Sequence, residues 1–386
     1  MKRSSTRTLT THVGRLQRPE ELTQAMEDHP RAEPTDAAFN RLLTESVDRI
    51  VKEQAEAGVD VVCDGEFGKL SWNTYINTRL GGHELIPVVP GETNRPSRDS
   101  IVFANFYKEL SSRGSNFYYR SPGRHEPQGM RWACTGPVTY IGHNALKRDL
   151  DNLRAAVAAT EVEDVFIPAT SPIRPHTNKH YASDEAYYEA VGEAMRTEYQ
   201  AIVDAGFIVQ IDDPYLPSLW DSGSKAPDLA DFRKQANRAV EVVNHALRGI
   251  PEDRVRYHIC WGAWHGPHSQ DIALKEIVDI LLKVKAQAYV FEAANARHEH
   301  EWQVWKDVKL PDGKILVPGI VAHSTNGIEH PELVAWRIKN FASVVGRENV
   351  IAGTDCGLGY RVHPDIAWGK LKSLAEGARI ASKELW

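Results

Sequence analysis

The sequence is poor in cysteine, in long apolar runs and in surplus positive charge. Only four of its 386 residues are cysteine, too few for a disulfide framework. No stretch approaches the roughly 20 apolar residues of a membrane helix, and the opening MKRSSTRTLTTH is too polar for a signal peptide. The 46 basic residues are outnumbered by 52 acidic ones, which argues against a general nucleic-acid-binding surface. We therefore expect a cytoplasmic protein with no nucleic-acid partner and no membrane partner.

Short β-type runs alternate with amphipathic helices along most of the chain. Residues 36–57 show helical spacing of apolar residues, with Asp36 as the predicted N-cap and Gly58 as the stop signal. The apolar, β-branched run VDVVCDGE (59–66) follows directly and is typical of a buried strand. Near the other end, a helix begins at Pro331 and stops at Gly346. This alternation indicates an α/β fold with a parallel sheet.

Nine runs are strand candidates, and their number fits an eight-stranded (β/α)₈ TIM barrel with one surplus run. We expect the surplus run to be VFIPAT (165–170), lining a loop. A doubly wound open sheet is the alternative fold. The nine runs are TTHVG (10–14), VVCDGE (61–66), WACTGPV (132–138), VFIPAT (165–170), FIVQIDDP (207–214), VRYHICWG (255–262), AYVFEAA (288–294), ILVPGIVAH (315–323) and VIAGTDCG (350–357).

Residues 77–130 interrupt the alternation of strands and helices, and they contain prolines, aromatic residues and scattered arginines. We interpret this stretch as a cap-like insertion after the second strand that covers one mouth of the barrel. The predicted domain organisation is thus one catalytic barrel over residues 1–386, carrying this insertion.

Ionisable residues and thiols collect at the ends of the candidate strands. In a barrel these ends converge on the face that carries the active site. Singly, each residue has a plainer interpretation, because a lone cysteine is usually a buried apolar residue and a strand-end carboxylate usually caps the next helix. As a set they predict a site: Glu66, Asp212, His258, Cys260, Glu292, His323 and Cys356.

The sharpest local pattern is His258-Ile259-Cys260. Residues i and i+2 of a strand point to the same side, so the imidazole and the thiol can reach one ion. Glu292 and Cys356 end two later strands, and sulfur, nitrogen and carboxylate ligands together suit Zn²⁺. Cys63 and Cys134 lie in apolar runs and are predicted to pack in the core.

Two histidine pairs compete for a metal role. They lie in the polar segments WHGPH and RHEHE, where surface histidines are the rule, and we expect all four at the surface: His265, His268, His298 and His300.

Several motifs together resemble the cobalamin-independent methionine synthase family, in its catalytic zinc barrel. The HIC segment, the later Glu292 and GTDCGL (353–358) resemble that family's zinc site. The resemblance runs from about residue 9 to about residue 380 and includes TTHVG (10–14), CDGE (63–66), TGPVT (135–139), QIDDP (210–214) and IVAHS (320–324).

The resemblance implies that the chain folds as a (β/α)₈ barrel and acts as a zinc-dependent alkyltransferase. Zinc binds a small thiol as thiolate, which attacks an sp³ carbon, as in methyl transfer to a homocysteine-like thiol. The implied zinc ligands are His258, Cys260, Glu292 and Cys356. His323 would donate a proton to the leaving group. The resemblance implies that Glu66 and Asp212 hold the amino group of the thiol, and we predict that Gly14 and Arg15 in the opening motif also contact the substrate.

Two departures from the family pattern concern the substrates. Arg15 stands where the family has a serine that helps to bind homocysteine, and His143 stands where the family has a tryptophan that stacks on folate. These replacements argue against homocysteine and methyl-folate, so the small-molecule thiol and the alkyl donor both stay open.

A second resemblance, to the single-barrel epoxyalkane:coenzyme M transferases, implies addition of a thiol to an epoxide. Arg15 and the arginines of the insertion would then bind an anionic thiol, unless they are simply solvated surface. A non-catalytic barrel that binds zinc and a thiol is the third alternative, and homo-oligomerisation stays open as well.

Overall fold

The computed structural model describes residues 1–28, 34–72, 74–89, 96–112, 129–173, 176–221, 226–262 and 265–386. These residues form a seven-stranded parallel sheet and a separate three-stranded sheet. In chain order the strands are β1 (Val61–Val62), β2 (Leu80–Pro87), β3 (Met130–Tyr140), β4 (Asp164–Thr170), β5 (Thr177–Asn178), β6 (Ile208–Asp212), β7 (Val255–His258), β8 (Ala288–Phe291), β9 (Ile315–Val321) and β10 (Gly353–Thr354).

The seven-stranded sheet runs in the order β1-β4-β6-β7-β8-β9-β10, and the N-terminal segment joins its two edges. Thr11 forms a parallel bridge with Val61 at one edge, and Thr10 forms one with Ala352 beside β10 at the other. The sheet therefore curls back on itself in a TIM-barrel-like fold. The open doubly wound alternative is wrong.

The prediction that VFIPAT is the surplus strand is also wrong. It forms β4, which pairs in parallel with both β1 and β6. The run WACTGPV belongs instead to β3, which pairs antiparallel with β2 and in parallel with β5. The physical reason is burial, because a strand of a parallel sheet is covered on both faces. Strand β4 is almost fully buried, whereas most of β3 is only half-buried.

Helices flank the strands and bury their apolar faces against the sheet. Asp36 Oδ1 accepts a hydrogen bond from the Phe39 backbone N–H at 2.9 Å, which confirms the predicted N-cap. None of the helices in the described ranges has the length and apolarity needed to cross a bilayer. The helices are α1 (Glu20–Glu27), α2 (Ala37–Glu56), α3 (Ile76–Arg79), α4 (Arg98–Val102), α5 (Ala104–Ser112), α6 (His143–Ala158), α7 (Asp184–Asp204), α8 (Tyr215–Ser218), α9 (Leu229–Ala246), α10 (Val278–Leu281), α11 (Pro331–Val345) and α12 (Pro364–Leu385).

The predicted insertion contains β2, α4 and α5 and ends at the start of β3. Its residues 90–95 and 113–128, which include Arg95, Arg113, Arg120 and Arg124, lie outside the described residues. Helix α4 contacts two loops that follow strands of the large sheet. The Arg98 guanidinium lies 3.8 Å from the centre of the Trp220 ring, and Asp99 Oδ1 accepts a hydrogen bond from Ser269 Oγ at 2.7 Å. Helix α4 is thereby tied to the segments after β6 and after β7.

Candidate metal centre and active site

Three of the four predicted zinc ligands come together in one group. The ligand atoms of His258, Cys260 and Cys356 all lie within 4.8 Å of one another. His258 is the last residue of β7 and Cys260 follows two residues later, so both side chains reach the same side of the sheet. Cys356 follows β10 by two residues. The sheet thus brings together donors that are almost one hundred residues apart in sequence.

The imidazole of His258 is held by a buried carboxylate. Its Nδ1 lies 2.9 Å from Asp212 Oδ1, and the same oxygen accepts a hydrogen bond from Gln210 Nε2 at 2.8 Å. Burial opposes charging of the ring, but the hydrogen bond and charge of Asp212 outweigh it and raise the pKa of His258. Nε2 of His258 is buried and has no hydrogen-bond partner among the described residues. A buried nitrogen of this kind, beside two thiols, fits a metal ion.

The thiols of Cys260 and Cys356 are hydrogen-bonded to each other. A hydrogen bond from Cys260, more than any other cause, lowers the pKa of Cys356 to about 6. The same hydrogen bond, followed by burial, raises the pKa of Cys260 well above its usual range. The hydrogen bond therefore favours the thiolate form of Cys356 over that of Cys260. Two sulfur donors and one imidazole nitrogen form a ligand set that Zn²⁺ prefers.

Glu292, the predicted fourth ligand, lies in a neighbouring group. Its carboxylate is within 4.8 Å of ligand atoms of His323 and Asp355. Oε1 accepts a hydrogen bond from the Trp261 backbone N–H at 2.8 Å, and Oε2 accepts one from Asn295 Nδ2 at 2.7 Å. Burial raises the pKa of Glu292 well above its usual range. The two groups adjoin, because Trp261 follows Cys260 directly, but a role for Glu292 as ligand stays a prediction.

His323, the predicted proton donor, lies two residues beyond β9 and is buried. Its Nδ1 has no hydrogen-bond partner in the described part of the chain. Burial, followed by the charge of Arg361, lowers the pKa of His323 well below its usual value. The ring is therefore neutral at pH 7, and its proton-donor role stays a prediction.

A cavity of about 410 Å³ is lined by residues that neighbour His323 in sequence and by the residue that donates a hydrogen bond to Glu292. Ala322 and Ser324, which flank His323 in sequence, line it, and so does Asn295, which binds Glu292. The space is large enough for a small organic molecule beside these side chains.

The predicted substrate residues of the opening motif meet Glu66. A Cβ added to Gly14, whose φ is +140°, would lie 2.7 Å from Pro168 Cγ and 3.0 Å from Glu66 Oε1. Arg15 Nη1 lies 3.4 Å from Glu66 Oε2. Burial, against the charge of Arg15, raises the pKa of Glu66 to about 7. The fourth predicted substrate residue, Asp212, faces His258 instead.

Comparisons with known proteins show the family to which the chain belongs. A model described as the cobalamin-independent synthase catalytic domain matches residues 169–379, which is more than half of the chain. The chain belongs to the cobalamin-independent synthase family. The matched segment contains every residue of the two metal-ligand groups, from His258 to Cys356.

Relatives in this family carry two different names. The chain is 24% identical to a methionine synthase of Sulfurisphaera tokodaii, covering 97% of this chain and 93% of the relative. It is also 24% identical to a 2-hydroxypropyl-CoM lyase of Xanthobacter autotrophicus, covering 92% and 89%. A solved B12-independent methionine synthase from Shewanella sp. W3-18-1, in complex with selenomethionine, superposes with a TM-score of 0.71 at 19% identity over 98% of this chain and 99% of that one. That likeness shows the shared fold.

In this member of the family, sequence reasoning missed a buried histidine beside the centre. His298, expected at the surface, is 3% exposed, and its ring stacks on Trp261 at 4.2 Å between ring centres. Its Nδ1 lies 2.7 Å from Glu301 Oε2, and its Nε2 lies 3.4 Å from Asp271 Oδ2. In the sequence, this contact is signalled by the spacing of three residues between His298 and Glu301, but such a spacing is also common on solvated surfaces. Asp355, which accepts hydrogen bonds from the Ala293 and Ala294 backbone N–H groups, was also missed.

Proposed function

We propose that the protein is a zinc-dependent S-alkyltransferase that activates a small thiol for attack on an sp³ carbon. Methyl transfer to a homocysteine-like thiol is the form that the methionine synthase relatives support. One observation carries the proposal. Nε2 of His258 is buried next to the thiols of Cys260 and Cys356, and it has no hydrogen-bond partner among the described residues.

The residues present fit a zinc ion. His258, Cys260 and Cys356 would hold it, with Glu292 as the fourth ligand. Zinc bound there would supply Lewis acidity that deprotonates a substrate thiol at neutral pH. Asp212 keeps the imidazole oriented through Nδ1, so that Nε2 is presented to the ion. We further propose a complete (β/α)₈ barrel, with residues 77–130 as its cap.

His323 would donate a proton to the leaving group. Its ring is buried and neutral at pH 7, so it would first accept the proton released by the substrate thiol and then donate that proton to the leaving group. A donor of this kind acts as general acid when it lies within hydrogen-bond reach of the leaving atom.

The test is thioether formation by the zinc-loaded protein. We would supply homocysteine or a simple acidic thiol, with either a methyl-folate or an epoxide as the alkyl donor, and identify the product by mass spectrometry. A zinc-dependent thioether with either donor supports the proposal. Zinc and thiol binding without turnover on any donor would instead indicate the non-catalytic barrel.

A thiol–epoxide transferase or lyase is the second candidate. Arg15 supports it, since this residue replaces the serine that the methionine synthase pattern would have at the substrate. The lyase relative covers almost the whole chain at the same identity as the synthase relative. Product from the epoxide alone would favour this candidate.

A further inference from the structure

The side-chain amide of Asn295 lies between two buried carboxylates. Its Nδ2 donates a hydrogen bond to Glu292 Oε2 at 2.7 Å and another to Asp355 Oδ2 at 3.0 Å. Both carboxylates belong to the group that also contains His323, and both are almost completely buried. The amide nitrogen has two N–H groups, so it can serve both carboxylates at once.

The oxygen of the same amide fixes its orientation. Asn295 Oδ1 accepts hydrogen bonds from the backbone N–H groups of Arg297 at 2.9 Å and His298 at 3.2 Å. Reversing the amide would place its oxygen against two carboxylates and its N–H groups against two N–H donors. Only one orientation satisfies all four contacts, and this orientation directs the nitrogen to Glu292.

Asp355 gives this bridge a fixed second contact next to a proposed zinc ligand. Its Oδ1 accepts hydrogen bonds from the backbone N–H groups of residues 293 and 294, at 2.7 and 2.8 Å. Asp355 directly precedes Cys356 in the sequence. Asn295 therefore connects the segment after β8, which carries Glu292, to the segment after β10, which carries Cys356.

The other oxygen of Glu292 is held independently. Trp261, the residue after Cys260, donates its backbone N–H to Glu292 Oε1 at 2.8 Å. The indole of Trp261 is itself held by the stacked ring of His298 and by a hydrogen bond from Nε1 to the Ile272 carbonyl at 2.6 Å. Among the described residues, each oxygen of Glu292 thus accepts one hydrogen bond, which leaves a second lone pair on each for a metal ion.

We propose that Asn295 is a positioning residue of the metal centre, which fixes the direction of the Glu292 carboxylate so that it serves as the fourth zinc ligand. The inference rests on the proposed function, because it concerns a ligand of that zinc. Ligating carboxylates are themselves hydrogen-bonded by groups behind them, and these groups support metal affinity. The role of Asn295 is indirect, since all four hydrogen-bonding positions of its amide are already used.

Zinc affinity tests the assignment, measured by competition with a chromophoric chelator. N295S keeps an oxygen that can accept from the local turn, but its side chain is too short to bridge the two carboxylates. We expect N295S to lose roughly 10- to 100-fold in zinc affinity. Equal affinity of N295S and wild type would overturn the proposal.

The matched control is N178S. Asn178 Oδ1 accepts hydrogen bonds from the backbone N–H groups of residues 180 and 181, which is the same local pattern as at Asn295. Asn178 lies on β5, in the three-stranded sheet, and its Nδ2 donates to backbone carbonyls instead of carboxylates. N178S should therefore bind zinc as tightly as wild type, and a loss equal to that of N295S would contradict the assignment.

The double variant E292A/N295S separates positioning from a general structural effect. E292A removes the carboxylate, so adding N295S to it should change zinc affinity by no more than roughly twofold. The same loss from N295S with and without Glu292 would show that Asn295 acts independently of this ligand. Wild-type zinc affinity in E292A would show that Glu292 is no ligand. Either result would overturn the proposal.

The absorption spectrum of the cobalt-substituted protein gives a readout that a loss of stability alone does not move. The d–d bands of bound cobalt report the number and arrangement of its ligands. N295S should shift these bands toward the spectrum of E292A, whereas N178S should keep the wild-type spectrum. A wild-type spectrum per bound cobalt in N295S would contradict the positioning role.

These measurements need no turnover, so they separate the inference from the proposed function. If the variants follow the expected pattern but no alkyl donor yields a thioether, the proposed function fails and the role of Asn295 stands. If a thioether forms but N295S binds zinc like wild type, the role of Asn295 fails and the proposed function stands. A wild type that binds neither zinc nor cobalt would overturn both.

Discussion

Nδ1 of His258 lies 2.9 Å from Oδ1 of Asp212, and both side chains are buried. The contact directs the other ring nitrogen toward the thiols of Cys260 and Cys356. Asp212 is thus a positioning residue for the centre, and the amino-group role that the family resemblance implies for it stays a prediction.

Removing the charge of Asp212 should weaken metal binding. In D212N we expect zinc affinity to fall roughly 10- to 100-fold, the usual effect of losing a carboxylate behind a ligating histidine. Competition with a chromophoric chelator measures the affinity. D213N is the control, since the Asp213 carboxylate accepts from the Tyr257 hydroxyl at 2.7 Å. Unchanged zinc affinity in D212N would contradict the positioning role.

Glu66 should make the metal-free protein less stable as the pH rises. Its pKa in the folded protein is about 7, above the ordinary 4.5, because burial favours the neutral acid. Its stabilising contribution is fully present below pH 4.5 and is lost as the pH rises through about 7. E66Q should lack this loss, which amounts to about 3 kcal/mol at most. Urea unfolding of both proteins between pH 4.5 and 8 measures it, and parallel curves would refute the effect.

His298 should stabilise the fold as a buried cation. Burial opposes its charge, but hydrogen bonds with Asp271 and Glu301 raise the pKa of His298 to about 10, from an ordinary 6.5. The stabilisation is fully present below pH 6.5 and is lost as the pH rises through about 10. H298N should lower the free energy of unfolding by about 3 kcal/mol at pH 6, and by much less above pH 10. H300N, at an exposed neighbour, is the control. An effect of H298N that does not vary with pH would argue for simple packing.

The contact between Asp99 and Ser269 should restrain the loop that follows Cys260. Asp99 accepts hydrogen bonds from both the backbone N–H and the hydroxyl of Ser269. D99A should therefore speed amide exchange of residues 265–272, measured by mass spectrometry. D36A removes a helix cap of similar chemistry and should affect only the start of α2. Equal exchange in D99A and wild type would show that helix α4 does not hold this loop.

Local sequence patterns correctly predicted the features that depend only on residues close together in the chain. Asp36 caps its helix as predicted, and the i, i+2 rule places His258 and Cys260 together. The assignment of β4 and β3 could not be predicted, because the two runs look alike and only long-range pairing decides which one enters the large sheet.

Local sequence patterns were equally unable to predict which charged residues pair with each other. The pairs Arg15–Glu66 and Asp212–His258 join residues about fifty positions apart, and only the curled sheet brings them together. His298 was missed for the related reason that its half-buried carboxylate partner Asp271 precedes it by 27 residues. Residue type and motif order predicted that His258, Cys260 and Cys356 lie together, but not which neighbouring charged groups they contact.

Zinc content of the purified protein tests the central claim most directly. Elemental analysis should give about one zinc per chain in the wild type, almost none in C260S/C356S, and an unchanged amount in the control C63S/C134S. The control removes the two cysteines that pack away from the centre. A wild type without zinc, or a C260S/C356S variant that keeps it, would contradict the account.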